Sequence, residues 1–264
     1  LKCFLSTVIP AFILITLLIL TNQFLLRKHH DIILSERPTP FMPTFVRQGR
    51  LAGPALMMPV IILGGIYGGI MTPTEAAGIA VVYAIPIAIY YYRGLTWKTM
   101  ATTIQTSGVT IGVVMVMIFM VLIVSDNLIA QGAPALAKQM VYSVSENPIV
   151  ILLMINVVMI LIGMLMDDIS GLLLATPILL PIAQSTGMDP IHFAAVIGVN
   201  LGMANITPPT APLLYLGAQV CDVPVSRMLW PTLIFITFAW LPTLMLTTFI
   251  PELALFLPDL LLGD

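Results

Sequence analysis

Apolar runs of membrane-crossing length alternate with short polar breaks along this chain, and the pattern predicts helices throughout. Residues 4–26, 53–71, 75–92, 101–124 and 230–249 are nearly uninterrupted apolar stretches, each close to the ~20 residues that carry a helix across the hydrocarbon core of a bilayer. Residues 127–145 are less hydrophobic and include Lys138, the pattern of an amphipathic connector lying along the interface. Gly132 and Pro134 interrupt it and predict a hinge over 127–134. Runs at 148–166 and 169–183 flank Asp167 and Asp168, which predicts a helical hairpin with the two carboxylates at its turn. The last long run but one, 191–220, is broken midway. Asn200, Gly202, Asn205, Thr207, Pro208, Pro209, Thr210 and Pro212 stand where a span is normally apolar.

Two local signals refine the middle of the chain. Thr72-Pro73-Thr74-Glu75 separates two apolar helices; Thr74 is the expected cap, with Pro73 stopping the preceding helix and Glu75 favoured near the new N-terminus. Just before it, Gly64, Gly65, Gly68 and Gly69 have the small-xxx-small spacing that lets helices approach closely. No phosphate-loop lysine or strand accompanies them, so nucleotide binding is not indicated.

Composition turns the pattern into a class. Of 264 residues, 59% are hydrophobic and 8% charged, against about 25% charged in a soluble domain, so this is an all-α polytopic membrane protein. A net charge of −2 gives no reason to expect nucleic acid, and Cys3 and Cys221 suggest neither a disulfide framework nor a metal site. The chain begins with Leu1 rather than Met, and is expected to be part of a longer one; 1–20 loosely echoes 225–244. Basic residues set an orientation. With the hairpin entering and leaving on one side, Arg27, Lys28, Arg37, Arg47, Arg50, Arg93, Lys98 and Arg227 fall inside and only Lys2 and Lys138 outside, as charge bias requires. His29 and His30 have no second cluster and read as a solvated pair.

Candidate chemistry concentrates in 163–217. Backbone polar groups in hydrocarbon need partners inside the protein, so interrupted helices persist where protein covers the break or a watery cavity is lined. Asp167 and Asp168 have no Lys or Arg between Gln139 and Ser226 to answer them; a bound cation, a proton or helix N-terminal dipoles could do so, or the turn could emerge into water. At the second break, prolines remove backbone donors and leave carbonyls unpaired. With the Asn205, Thr207 and Thr210 side chains these make a hard-oxygen set suited to Na+; the other reading is a proline kink satisfied by its own Thr and Asn residues. An enzyme is not expected. Adjacent aspartates cannot act as an opposed pair, and Ser170 and His192 lack the third partner of a nucleophilic dyad.

The segments GGIYGGIMTPTEAAGIAVVYA (64–84), the hairpin ending ATPILLPIA, and GMDPIHFAAVIGVNLGMANITPPTAPLLYLG (187–217) resemble, in order, the C-terminal portion of the large membrane subunit of tripartite ATP-independent periplasmic (TRAP) transporters. The resemblance implies an inverted-repeat elevator fold with re-entrant hairpins and broken helices. It also implies Na+-coupled uptake of an organic anion such as a C4-dicarboxylate or sialic acid, a periplasmic substrate-binding protein, a small membrane subunit, and location in the bacterial inner membrane. On that basis 1–26 is the closing helix of a first repeat and 27–50 a cytoplasmic loop. Residues 51–126 are scaffold helices, joined in that role by 4–26, and 127–146 an interfacial arm. Residues 147–220 are a transport domain, and 221–264 a C-terminal helix and tail. Asp167, Asp168, Ser170 and Gly171 become the hairpin tip, and Asn200, Gly202, Asn205, Thr207 and Thr210 the unwound helix, with one Na+ site between them. The family's first hairpin has no counterpart here, and Asp168 stands where many relatives have proline, which makes Asp167 the firmer ligand. A two-component Na+-coupled carrier and a non-transporting scaffold are the alternatives.

Overall fold

The computed structural model is helical and describes residues 1–27 and 41–263; His29, His30, Lys28 and Arg37 lie outside the described residues. In chain order the helices are α1 (Lys2–Leu5), α2 (Val8–Arg27), α3 (Phe41–Tyr67), α4 (Pro73–Pro86), α5 (Trp97–Ala130), α6 (Ala133–Val144), α7 (Pro148–Leu165), α8 (Asp168–Ser185), α9 (Pro190–Ala204), α10 (Pro212–Cys221), α11 (Val225–Phe235), α12 (Leu241–Phe249) and α13 (Glu252–Leu262). π-helical turns extend α4 over Ile87–Tyr91 and join α11 to α12 over Ile236–Trp240. Seven helical stretches among the described residues are long and apolar enough to cross a membrane, and α9 and α10 are shorter apolar helices. The chain is thus a multi-pass membrane protein. It divides into two compact units, one within 29–113 and the other formed by 2–28 and 114–264.

In the first unit α3 and α4 pack antiparallel. Pro54 has no N–H to offer the Arg50 carbonyl four residues back; the Tyr91 hydroxyl donates to that oxygen instead, at 2.9 Å. Tyr92 and Tyr83 donate to the carbonyls of Leu51 and Pro54, each at 2.8 Å. Three tyrosines thereby fasten α3 where proline weakens it. The expected cap is off by two residues: Thr72, not Thr74, caps α4, in a reciprocal box with Glu75. Pro73 then occupies the first helical position, where its missing N–H costs nothing. The glycine run also differs from expectation. Gly68 and Gly69 form the turn that ends α3, Gly69 at φ +67°, and a Cβ on Gly65 would strike the Met71 side chain of the returning chain, while Gly64 has open space around it. Among the described residues these glycines serve the turn rather than a contact with another helix.

Helix α3 starts at Phe41, so 41–50 is helical where a loop was expected, and α5 continues through Asp126 to Ala130. The break falls at Gln131-Gly132, with Gly132 at φ +78°, and Pro134 is already in the first turn of α6. In the second unit the core is built from α7, α8, α9 and α12, around Met159, Ile182, Phe193, Val196 and Leu244. The connector α6 packs on α8, the Tyr142 and Ser185 hydroxyls meeting at 2.8 Å. Helix α2, grouped above with 53–92, instead packs on α11, α12, the π turn between them and α13. Helix α13 in turn reaches α9, so the first span belongs with the broken helix and its neighbours. The C-terminal segment after α12 is helical rather than a tail.

Candidate functional site at the hairpin tip and broken helix

Helix α7 ends at Leu165 and α8 begins at Asp168, so the hairpin turn is only Met166-Asp167. Asp167 is the N-cap of α8; its Oδ2 accepts from the N–H of Ile169 at 3.2 Å and of Ser170 at 3.3 Å. The helix N-terminus therefore answers this carboxylate, as unpaired N–H groups and the helix dipole favour. Asp168 finds a partner that the charge pattern did not suggest. Asn205 Nδ2 donates to both of its oxygens, at 2.9 and 2.8 Å, so the tip closes on the last residue before the break. Ser170 and Gly171 are buried in the first turn of α8. A Cβ on Gly171 would stand 3.2 Å from Leu201 Cδ2, so the glycine lets α8 approach α9.

Between α9 and α10, residues 205–211 are non-helical because three prolines stand at 208, 209 and 212. Pro208 and Pro209 deprive the Ala204 and Asn205 carbonyls of their i+4 donors. Thr207 N–H turns back to Ala204 at 3.0 Å, and Leu213 N–H crosses the break to Asn205 O at 3.1 Å. Ile206 N–H goes to Met203, so the Gly202 carbonyl lacks its usual donor. The Thr207 hydroxyl donates to Met203 O at 2.8 Å and that of Thr210 to Met164 O, in the last turn of α7, at 3.0 Å. Each hydroxyl spends its proton on a carbonyl and keeps its lone pairs. Ala211, fully buried, sits at φ +29°, strain of the kind held only where the surroundings impose it.

These oxygens suit a hard cation: two carboxylates, two hydroxyls with free lone pairs and an under-bonded carbonyl. Beside Asp168 opens a cleft of about 480 Å³ between α8 and α9, lined by Thr176, Phe193, Ile197, Leu201 and Gly202 among others. The Thr176 hydroxyl is buried with no hydrogen-bond partner among the described residues. A carboxylate and apolar walls are poor company for an anion.

Asn200 and Gly202 also make contacts away from the tip, and the buried Asn200 Oδ1 has no hydrogen-bond partner among the described residues. Asn200, five residues and thus ~7.5 Å along α9 from Asn205, is fully buried and donates through Nδ2 to Asn156 Oδ1 at 2.9 Å and Val196 O at 3.0 Å. Asn156 Nδ2 donates to Thr248 Oγ1 at 2.9 Å, and Thr248 donates to Leu244 O at 2.8 Å. The carbonyls at the two ends accept only, so every amide in this ladder has its orientation determined. Gly202 serves packing, for a Cβ there would lie 2.9 Å from the Trp240 ring. His192 is buried at the far end of α9 with Nε2 2.6 Å from Thr247 O, so it does not meet Ser170.

The family model for the tripartite ATP-independent periplasmic transporter, DctM component, matches residues 1–253, which includes both breaks and every residue of the candidate site. The chain belongs to this family. It is 36% identical over 202 residues to the isethionate TRAP transporter permease DctMQ of Oleidesulfovibrio alaskensis, covering 76% of this chain and 32% of that protein. The sialic acid large permease SiaM of Vibrio cholerae is 30% identical over 265 residues, covering 98% and 60% of the two chains. The C4-dicarboxylate large permease DctM of Pseudomonas aeruginosa is likewise 30% identical, over 258 residues, again 98% and 60%. This chain spans from a third to three fifths of the length of these relatives, all of them permeases by name.

Sequence reasoning passed over Asn156, Thr248, Trp240 and the Met164 carbonyl. Asn156 did leave a signal: it is the one polar side chain in the run PIVILLMINVVMILIGML, and such a residue in a span calls for a named partner. Trp240 and a backbone carbonyl leave none.

Proposed function

We propose that this chain forms the C-terminal part of a TRAP large permease that takes up an organic anion together with Na+, the anion arriving on a periplasmic binding protein at the bacterial inner membrane. The bond from Asn205 to Asp168 carries this reading, because it joins the hairpin tip to the broken helix, the two segments that hold the oxygen-rich groups. Helix length supports a site within the membrane. Helix α9, with 15 residues, rises ~22 Å, and α10, with 10, adds ~15 Å, so the break lies part-way through a ~30 Å hydrocarbon core.

Electrostatics supplies a reason for coupling. With Asp167 and Asp168 at the tip and no Lys or Arg from 139 to 226, an approaching organic anion meets net negative charge. A sodium ion held by Asp168, Thr207, Thr210 and the Gly202 carbonyl removes that repulsion, and Ser170 lies within the same turn as the tip. Sodium and anion then favour each other's binding, which is what symport requires. The relatives' names, with isethionate, sialic acid and C4-dicarboxylates, agree with an anionic substrate of this breadth.

Movement of the site across the membrane follows as one rigid body: α7–α10 with α2 and α11–α13, which pack on one another. The helices α3 and α4 supply the static part, and a small membrane subunit braces it. The test is uptake into vesicles holding the complete transporter with its binding protein. Thr207→Val and Asp168→Ala should weaken Na+ dependence more than protein abundance; unchanged Na+ dependence in both would overturn the site.

A further inference from the structure

Outside the site, the largest concentration of unanswered charge is at one end of the first unit. Arg47 and Arg50 lie one turn apart on α3, Arg93 follows the π turn of α4, and Lys98 is in the first turn of α5; all four are exposed. Among the described residues none of them pairs with a carboxylate. The single acidic residue described between 41 and 113, Glu75, is at the opposite end of α4 and is engaged by Thr72. The bonds from Tyr91 to Arg50 O and from Tyr92 to Leu51 O hold the two basic segments within a side chain's reach.

Two features separate this corner from an ordinary solvated loop. Tyr90 and Trp97 stand 79% and 83% exposed beside the cations, the arrangement of aromatic rings at headgroup level. Arg93 is held at φ +49°, a left-handed conformation that suits glycine and is costly for a long side chain. The turn is closed by Gly94 N–H on Ala88 O at 3.0 Å, so the strained position is built in and still carries a guanidinium.

We propose that this corner binds the phosphodiester headgroup of an anionic phospholipid. A guanidinium fork matches phosphate oxygens in pairs and a lysine adds a point charge. Basic clusters at the ends of membrane helices recruit such headgroups, each cation contributing about fivefold near the surface. A lipid is favoured over free phosphate because the adjoining helices carry long apolar stretches. The apolar stretches of α3, α4 and α5 are 11%, 6% and 0% buried within the chain, so acyl chains have surface to lie on while the headgroup meets the cations.

Trp97 is a reporter already in place. The full chain, carrying Trp230→Phe, is reconstituted in phosphatidylcholine vesicles with brominated phosphatidylglycerol or brominated phosphatidylcholine added at matched mole fractions. The Trp97 signal is taken as the difference from the Trp97→Phe chain. The wild type should be quenched more steeply by the anionic lipid, and Arg50→Gln/Arg93→Gln/Lys98→Gln should lower that preference by roughly a hundredfold while quenching by phosphatidylcholine is kept. Arg93→Gly keeps the turn and relieves the strain, so it should raise thermal stability and still reduce the preference. Inorganic phosphate at millimolar concentration should not compete. Equal quenching by both lipids, a preference that survives the triple change, or competition by phosphate would overturn the proposal.

Discussion

Gly163→Ala tests how the hairpin and the broken helix are seated on each other. A Cβ on Gly163 would lie 2.5 Å from Ala204 Cβ and 3.5 Å from Leu201 Cδ2. Carbon atoms rest about 3.5–4.0 Å apart, so α7 and α9 must separate by ~1 Å, and a methyl group has no rotamer through which to escape. Overpacking of this kind costs about 1–3 kcal/mol. Its functional reach is greater, because the next residue, Met164, holds Thr210 at 3.0 Å, and Asp168 holds Asn205 at 2.8 and 2.9 Å. An opening of ~1 Å takes such bonds past the distance at which they count as hydrogen bonds. The variant should therefore unfold at lower temperature and transport with weakened Na+ dependence. Ala204→Gly in the same chain makes room for the new methyl and should restore both, with a coupling of about 1–3 kcal/mol in the double-mutant cycle. The sign is decisive. Without the clash, replacing a helical glycine by alanine stabilises by about 0.5–1 kcal/mol, so a Gly163→Ala protein as stable as wild type, with unchanged Na+ dependence, would refute the packing argument.

Asn156→Ala leaves one of the two Asn200 amide protons in the core without its acceptor and should cost about 1–3 kcal/mol in thermal or denaturant unfolding, whereas Thr248→Val, which removes an acceptor from one end of the ladder, should cost less. Thr72→Ala removes the capping box of α4 and should cost about 1 kcal/mol, with Thr74→Ala near neutral; the reverse order would contradict the observed cap. Cysteine substituted at 50 and 227 should be labelled from the cytoplasm and at 138 from the periplasm, and labelling of 227 from the periplasm alone would invert the parity of the hairpin.

The sequence by itself carried the helical class, the membrane, the position of both breaks and the family. These depend on local quantities: the length of an apolar run, the absence of an N–H at proline, the preference of a cap. A proline at 208 cannot continue α9 in any tertiary context, and Asp167 followed by Ile169 and Ser170 is a cap wherever α8 begins. Partner identity was not legible in the same way. That Asp168 rather than Asp167 reaches Asn205, that Asn200 turns to Asn156 and Asn156 to Thr248, and that Gly202 lies under Trp240 are outcomes of which helix faces meet. Those pairs are 37, 44, 92 and 38 residues apart in the chain; the 38 follows from Gly202 to Trp240. No periodicity within one helix encodes such distances. The same holds for α2, whose uniform apolar surface could have faced any neighbour; only the packing of the C-terminal helices, which offer it a matching side, decided that it lies against α11–α13.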